Sequence, residues 1–305
     1  MTVYHCVYNR EISAATMWKS TALNSCPIPS GILVIIGGKE DKGIQVDNPE
    51  TKDQNERLEI LKAFVKLTGK DKAVVEVITT ASGSGDELFE DYKRAFGELG
   101  VPEPGHIHHK LRGDVLQEDL TDRLQNADAF FFTGGDQLLL TSIYGGTSFL
   151  TKLKERYIHE KIVIGGTSAG AMAMSTPMIY AGNKSVQQIA GEIKVTMGLE
   201  FLKDVCIDTH FIDRSRFVRM AQVIATNPTC IGIGIEEDTG IVITDGVNAE
   251  VVGTGVVTVI EGFNLSSSNI TDIAENCPVY MEDLKVHLLA RGGKYEIPQI
   301  NPPHK

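Results

Sequence analysis

Short β-branched or aromatic runs alternate with longer stretches of helical period from Gly31 to Ser175. Gly31-Ile32-Leu33-Val34-Ile35-Ile36 is continuously apolar and short, which predicts a strand buried on both faces. Ala73-Val74-Val75-Glu76-Val77-Ile78, Ala129-Phe130-Phe131-Phe132 and Ile162-Val163-Ile164 repeat the pattern, and a further short strand is predicted around His106-Ile107-His108-His109. Between them, Leu58, Leu61 and Val65, with Ile60 and Phe64, recur at helical spacing in a helix predicted near Pro49 to Thr68. Other helices are predicted from Ser82-Gly83-Ser84-Gly85-Asp86 to about Leu99, and from Val115 to Leu124. This rhythm predicts an α/β domain with a mostly parallel sheet. The last third is different. Ile231-Gly232-Ile233-Gly234-Ile235, Gly240 to Thr244, Glu250-Val251-Val252 and Gly255 to Ile260 are strands joined by close turns, read as an antiparallel extension of the same sheet.

The chain has 305 residues, enough for one large α/β domain over residues 30–305. Residues 1–29 are mixed and aperiodic, and read as an N-terminal extension. A formal charge of -11 argues against nucleic acid or an anionic membrane surface as a partner. No apolar run approaches bilayer-spanning length. Met1 to Ser30 lacks a basic region followed by an apolar one, so a cytoplasmic location is expected. Cys6, Cys26, Cys206, Cys230 and Cys277 are odd in number and scattered, which predicts reduced thiols rather than a disulfide framework or a zinc site. His106, His108 and His109 lack carboxylates at ligand spacing and read as a polar strand end, and Gly83 to Asp86 lacks the Gly-Lys-Ser/Thr of a phosphate loop. No metal or cofactor is expected.

The chemistry centres on Gly166-Thr167-Ser168-Ala169-Gly170, between a β-branched strand and an Ala/Met-rich helix. Gly-x-Ser-x-Gly in that context fits a nucleophile elbow, a strained turn that lifts a serine hydroxyl clear of the sheet edge. Two other strands end in Gly-Gly, at Gly37-Gly38 and at Gly134-Gly135, and parallel strands would bring these loops to the same crevice. The N–H groups of Gly135 and Ala169 could then form an oxyanion hole.

A serine nucleophile needs a base within hydrogen-bond reach and a group that orients it. Downstream of Ser168 stand His210, His287 and His304. His304 lies in the tail, and His287 sits in a predicted strand face where a structural histidine is expected. His210 follows the strand Val205-Cys206-Ile207-Asp208 directly, at what should be the same sheet edge as the elbow. The acid could be Glu236, Glu237, Asp238 or Asp208. The order Ser, His, acid differs from that of α/β-hydrolases. Arg214, Arg216 and Arg219 stand at a predicted helix start, where the helix dipole repels cations. Phe217, Met220 and Ile224 should share that helix's buried face, with Asp213 as a cap. A bound anion, most simply a carboxylate, would relieve the repulsion; a solvated basic stripe is the other reading.

Gly37-Gly38-Lys39-Glu40-Asp41-Lys42, Thr133-Gly134-Gly135-Asp136-Gln137, the serine elbow, Asp208-Thr209-His210-Phe211 with the three arginines, and Gly232-Ile233-Gly234-Ile235-Glu236-Glu237 together resemble the cyanophycinase family of serine peptidases. The resemblance runs in order from about residue 31 to residue 260. It implies a three-layer, doubly wound fold like class I glutamine amidotransferases, a homodimer, and a substrate containing Asp and Arg. Cyanophycin, a poly-aspartate with arginine on each β-carboxyl, would be cleaved to β-Asp-Arg dipeptides. Carried over, it implies Ser168 as nucleophile, His210 as base and Glu237 as its partner, with Gln137, Asp208, Thr209, Arg214, Arg216 and Arg219 shaping the substrate pocket. Two positions depart from the family pattern: Thr209 stands where Gln is found, and Ser215 where Gly is common. An isoaspartyl or α-aspartyl dipeptidase with the same machinery, or a non-catalytic binding protein on this scaffold, are the competing readings.

Overall fold

Strand β1 (Ile32–Ile36) lies inside an eight-stranded sheet, parallel to one neighbour and antiparallel to the other. The structure is a computed structural model describing residues 27–43, 58–182, 188–189, 191–271 and 277–299. After β1 come α1 (Glu59–Leu67), β2 (Val75–Ile78), α2 (Gly85–Glu98), β3 (Gly105–Ile107), α3 (Arg112–Gln117), α4 (Thr121–Asn126) and β4 (Ala129–Phe132). Then follow α5 (Gln137–Tyr144), α6 (Ser148–His159), β5 (Val163–Thr167) and α7 (Ala169–Ala173). Short strands β6 (Ser175–Thr176), β7 (Met178–Ala181), β8 (Lys194–Thr196) and β9 (Leu202–Lys203) lead to β10 (Val205–Thr209), α8 (Phe217–Thr226) and β11 (Ile231–Ile235). The remaining strands are β12 (Thr239–Thr244), β13 (Asn248–Gly253), β14 (Val257–Glu261), β15 (Ser267–Ser268), β16 (Met281–Glu282), β17 (Lys285–Leu289) and β18 (Lys294–Glu296).

The first sheet runs β18-β13-β12-β1-β5-β4-β2-β3, parallel from β1 to β3 and antiparallel from β1 to β18. Its parallel strands are mostly apolar because both faces are covered. Val34 and Ile36 face one side, where Ile60, Leu61 and Phe64 of α1 and Tyr92 and Phe96 of α2 pack. Leu33 and Ile35 face the other, against α5, α6 and a second sheet. Phe131 meets Phe64 and Phe96 edge-on, with centroids 5.2 and 5.6 Å apart. The fold is therefore the layered α/β arrangement the periodicity predicts.

Three expectations need correction. The last third does not extend one sheet. β12, β13 and β18 join the first, while β11, β14 and β17 build a second of order β17-β14-β11-β10-β6-β9. The reason is the β10–α8–β11 unit: a helical crossover lays β11 parallel beside β10, with Thr209 opposite Ile235. Second, the helix expected from Val115 to Leu124 is two helices. Glu118 is extended, with φ -80° and ψ 130°, and the Asp119 carboxylate accepts the Thr121 amide at 3.0 Å, a local turn that competes with helix. Third, Asp213 does not cap α8; Arg216 occupies the N-cap position. Met220 and Ile224 are buried as expected, whereas Phe217, in the first turn, is 42% exposed.

The helix expected near Pro49 to Thr68 is described only from Glu59, so its first part lies outside the described residues, as do Cys6, Cys26 and His304. Cys206, Cys230 and Cys277 are free thiols. His287 Nε2 donates to the Glu261 carboxylate at 2.7 Å, and the Tyr295 hydroxyl donates to the same carboxylate at 2.9 Å, a contact joining the two sheets. His106 Nε2 and His108 Nδ1 both approach the Thr79 hydroxyl, at 2.7 and 2.9 Å. Among the described residues, no helix is long and apolar enough to cross a membrane.

Candidate active site

Ser168 sits between β5 and α7 with φ 50° and ψ -114°, a conformation L residues rarely adopt. Strain of this kind costs of order 1–3 kcal/mol and persists only where surrounding contacts hold it. Here the contacts are close. A Cβ on Gly166 would lie 2.7 Å from the Gly170 carbonyl, and one on Gly170 would lie 2.2 Å from the Phe132 carbonyl oxygen. The elbow therefore requires glycine on both sides of Thr167-Ser168-Ala169.

The Ser168 Oγ lies 3.0 Å from His210 Nε2, and His210 Nδ1 lies 2.6 Å from Glu237 Oε1. An ionised carboxylate only accepts, so the Nδ1 proton points to Glu237 and the Nε2 lone pair faces the serine hydroxyl, which donates. This is the order in which a hydroxyl nucleophile, an imidazole base and an orienting carboxylate are connected. Burial lowers the His210 pKa below its ordinary value; Glu237 opposes that shift, and Arg214 and Arg216 reinforce it. Burial alone would raise the Glu237 carboxyl, but hydrogen bonds from Lys39 and His210 hold it below the usual carboxylate range.

These groups do not share the edge of one sheet, as the sequence reading expected. Ser168 leaves β5 of the first sheet, while His210 and Glu237 follow β10 and β11 of the second. The sheets meet at the end of β1, where the Ile36 carbonyl accepts the Ser168 amide at 3.0 Å and the Gly37 carbonyl accepts that of His210 at 2.9 Å. Gly38, at φ 104°, lies against the imidazole; a Cβ there would be 2.4 Å from His210 Cε1.

Of the four candidate acids, Glu237 is the one bonded to His210. Glu236 accepts from the Val256 amide, and Asp238 accepts from the Asp41 amide at 3.2 Å. Asp208 is fully buried and accepts from Arg216 at 2.8 Å and from Arg219 Nε at 2.6 Å. This corrects the expectation that all three arginines need an external anion: Asp208 supplies the counter-charge for two. Arg214 is exposed and has no ion-pair partner among the described residues. Burial, partly offset by Asp208, with Arg219 and Arg214 nearby, lowers the Arg216 pKa. The cluster still favours an anion.

A cleft of about 270 Å³ opens beside Ser168 and is lined by Arg214, Arg216 and Arg219 on one side. Gly135, Gln137, Ala169 and Thr209 also line it. Gln137 donates to the Ile179 carbonyl at 2.8 Å and so ties β7 to the cleft. The Thr209 hydroxyl is buried with no hydrogen-bond partner among the described residues. A Cβ on Gly134 would be 3.4 Å from Ser168 Cβ, which puts the Gly134-Gly135 loop against the nucleophile. The flanking Thr133 and Asp136 amides are bonded to Ile78 and Ala81 carbonyls. Ala169, as the first residue of α7, has an amide with no intrahelical acceptor. Gly135 and Ala169, the two residues expected to supply an oxyanion hole, line the same cleft as Ser168. Sequence reasoning missed Met172 and Tyr180 as lining residues. Tyr180 comes from the β7–β8 hairpin, whose short strands leave little periodic signal.

The model for Peptidase family S51 matches residues 46–251. The chain is 30% identical over 263 residues to a cyanophycinase of Geminocystis herdmanii, covering 86% of this chain and 92% of that protein. It is 31% identical over 277 residues to a cyanophycinase of Synechococcus elongatus, covering 90% and 82% respectively. A peptidase from an acI-B1 actinobacterium has a similar fold, with a TM-score of 0.62 at 19% identity over 89% of this chain and 98% of that one. A family match across two-thirds of the sequence, around a strained serine elbow, makes this chain a member of peptidase family S51 and a serine peptidase.

Proposed function

We propose that the protein hydrolyses the poly-aspartate backbone of cyanophycin to β-Asp-Arg dipeptides, with Ser168, His210 and Glu237 as a catalytic triad. The observation that carries the reading is the continuous hydrogen-bonded chain from Ser168 Oγ through His210 to Glu237, opening on a cleft lined by arginines. The relatives named as cyanophycinases support the choice of polymer.

His210 Nε2 removes the Ser168 proton as Oγ attacks an aspartyl carbonyl carbon. Negative charge moving onto the carbonyl oxygen is met by the amides of Gly135 and Ala169, fixed donors that need no reorganisation. The imidazolium then gives its proton to the departing amine nitrogen, leaving an ester on Ser168. Water, deprotonated by His210, attacks that ester and frees the acid and the serine. Glu237 keeps the imidazole in the tautomer both halves require. Arg214, with Arg216 and Arg219 behind it, holds a substrate carboxylate. The protein acts as a homodimer in the cytoplasm, and residues 30–305 form one peptidase domain.

The full-length protein incubated with intact cyanophycin should release β-Asp-Arg, identified by mass spectrometry, and Ser168→Ala should release none while keeping wild-type thermal stability. Preferential cleavage of short α- or β-aspartyl peptides with the polymer untouched would favour a dipeptidase, and full turnover by Ser168→Ala would remove the serine from the mechanism.

Since the base must be neutral and its pKa is depressed, kcat/KM should fall with decreasing pH only below about 6.5, the ordinary imidazole value. A limb centred above that value would contradict a buried, cation-flanked base.

Arg214→Gln should raise KM about tenfold, as loss of a charge-assisted contact does, with kcat changed by less than about threefold. A matching loss in kcat alone would place Arg214 in the transition state instead.

A further inference from the structure

Five consecutive residues from the end of β1, Ile36 to Glu40, each bond to a member of the Ser168–His210–Glu237 chain or to a residue directly next to one. The Ile36, Gly37 and Gly38 carbonyls accept the amides of Ser168, His210 and Asp238, at 3.0, 2.9 and 2.8 Å. Lys39 Nζ then lies 2.8 Å from Glu237 Oε2, the oxygen that His210 does not use. The Glu40 carboxylate accepts hydrogen bonds from the hydroxyl of Thr167, the residue before Ser168, and from the hydroxyl of Tyr92.

The three carbonyl contacts are main-chain bonds that many sequences could make. The two side chains need another explanation. Lys39 is 70% exposed at its side chain, where water would solvate the ammonium equally well, and its backbone is left-handed, with φ 49°. Glu40 is only 4% exposed, and its oxygens are met by two neutral hydroxyls. Burying a carboxylate this way is unfavourable for folding, so a gain is expected elsewhere.

The gain lies in what each contact restrains. A carboxylate bonded through one oxygen alone can rotate about its last side-chain torsion. With Lys39 on Oε2, the rotation that would pull Oε1 from His210 Nδ1 is opposed. Ser168 carries a strained backbone that could relax through Thr167, and the Glu40–Thr167 bond opposes that movement.

We propose that Lys39 and Glu40 are positioning residues, Lys39 fixing the Glu237 carboxylate against His210 and Glu40 fixing the backbone that presents Ser168. The inference rests on the triad reading above. Neither residue touches the reacting atoms; both act through groups that do.

The test uses full-length protein and a fluorophosphonate, with the maximal rate of Ser168 modification (kinact) and the half-saturating concentration (KI) read by intact-mass spectrometry. The variants are Lys39→Met, Lys39→Arg, Glu40→Met, Thr167→Val and, in parallel, Ser168→Ala. Thr167→Val removes the same bond as Glu40→Met from the other side, so it decides the point if Glu40→Met does not fold. In Lys39→Met and Thr167→Val, kinact should fall about tenfold with KI within about twofold, the pattern of lost alignment. Lys39→Arg should restore kinact, because it restores the ion pair. Unchanged kinact in Lys39→Met or in Thr167→Val refutes the role of Lys39 or of Glu40 respectively. A fall that Lys39→Arg does not repair, or one matched by a rise in KI, marks general structural damage and also overturns the proposal. A mass shift that persists in Ser168→Ala, or its absence from the wild type, defeats the triad reading itself.

Discussion

The amides of Ser168 and His210 are received by the adjacent carbonyls of Ile36 and Gly37, and this pair of main-chain bonds joins two sheets at the point where chemistry is proposed. Backbone bonds of this kind have little freedom, so the hydroxyl and the imidazole are placed by the same short segment of chain. β1 is itself clamped between β5 and β12, in the middle of the larger sheet. Its terminal residues inherit that rigidity. The strain at Ser168 can persist because the strand before it, the helix after it and the β1 loop beside it leave no easy route to relax.

Electrostatics divides the cleft into two parts. Near Ser168, burial and adjacent guanidinium groups lower the pKa of an imidazole that a carboxylate holds in orientation. Farther along, the single carboxylate of Asp208 is shared by Arg216 and Arg219 and offsets part of their charge. Without this fully buried carboxylate, two cations would be crowded at the start of α8 with the helix dipole against them. With it, the cluster keeps a net positive face toward the cleft through Arg214. On the proposed reading, an anionic group of a substrate is held there without the site being unstable when empty.

Much of this was legible in the sequence because it is local. The β-branched and aromatic runs at Ile32 to Ile36 and Ala129 to Phe132 are strands because only a doubly covered sheet can bury them. Gly166 to Gly170 reads as an elbow because glycine is needed where backbones nearly touch. What was not legible depends on contacts between distant segments. Nothing in Ile231 to Ile235 distinguishes a strand added beside β12 from one laid beside β10, so the second sheet was read as part of the first. Glu236, Glu237 and Asp238 are consecutive and chemically alike; the backbone after β11 decides which of them reaches His210. The pairing of Asp208 with Arg216 and Arg219 was hidden because a strand end and a helix start must first fold together. Glu40 meets Thr167 across 127 positions, and no local pattern marks such a contact.

The central claim is that Glu237 fixes His210 with its Nε2 lone pair toward Ser168. Nitrogen-15 NMR of the histidine side chains in the full-length protein at about pH 8, where imidazole is neutral, tests this most directly. The account predicts a protonated Nδ1 and a bare Nε2 for His210, with the Nδ1 proton signal lost in Glu237→Ala. A protonated Nε2 beside a bare Nδ1 would contradict it.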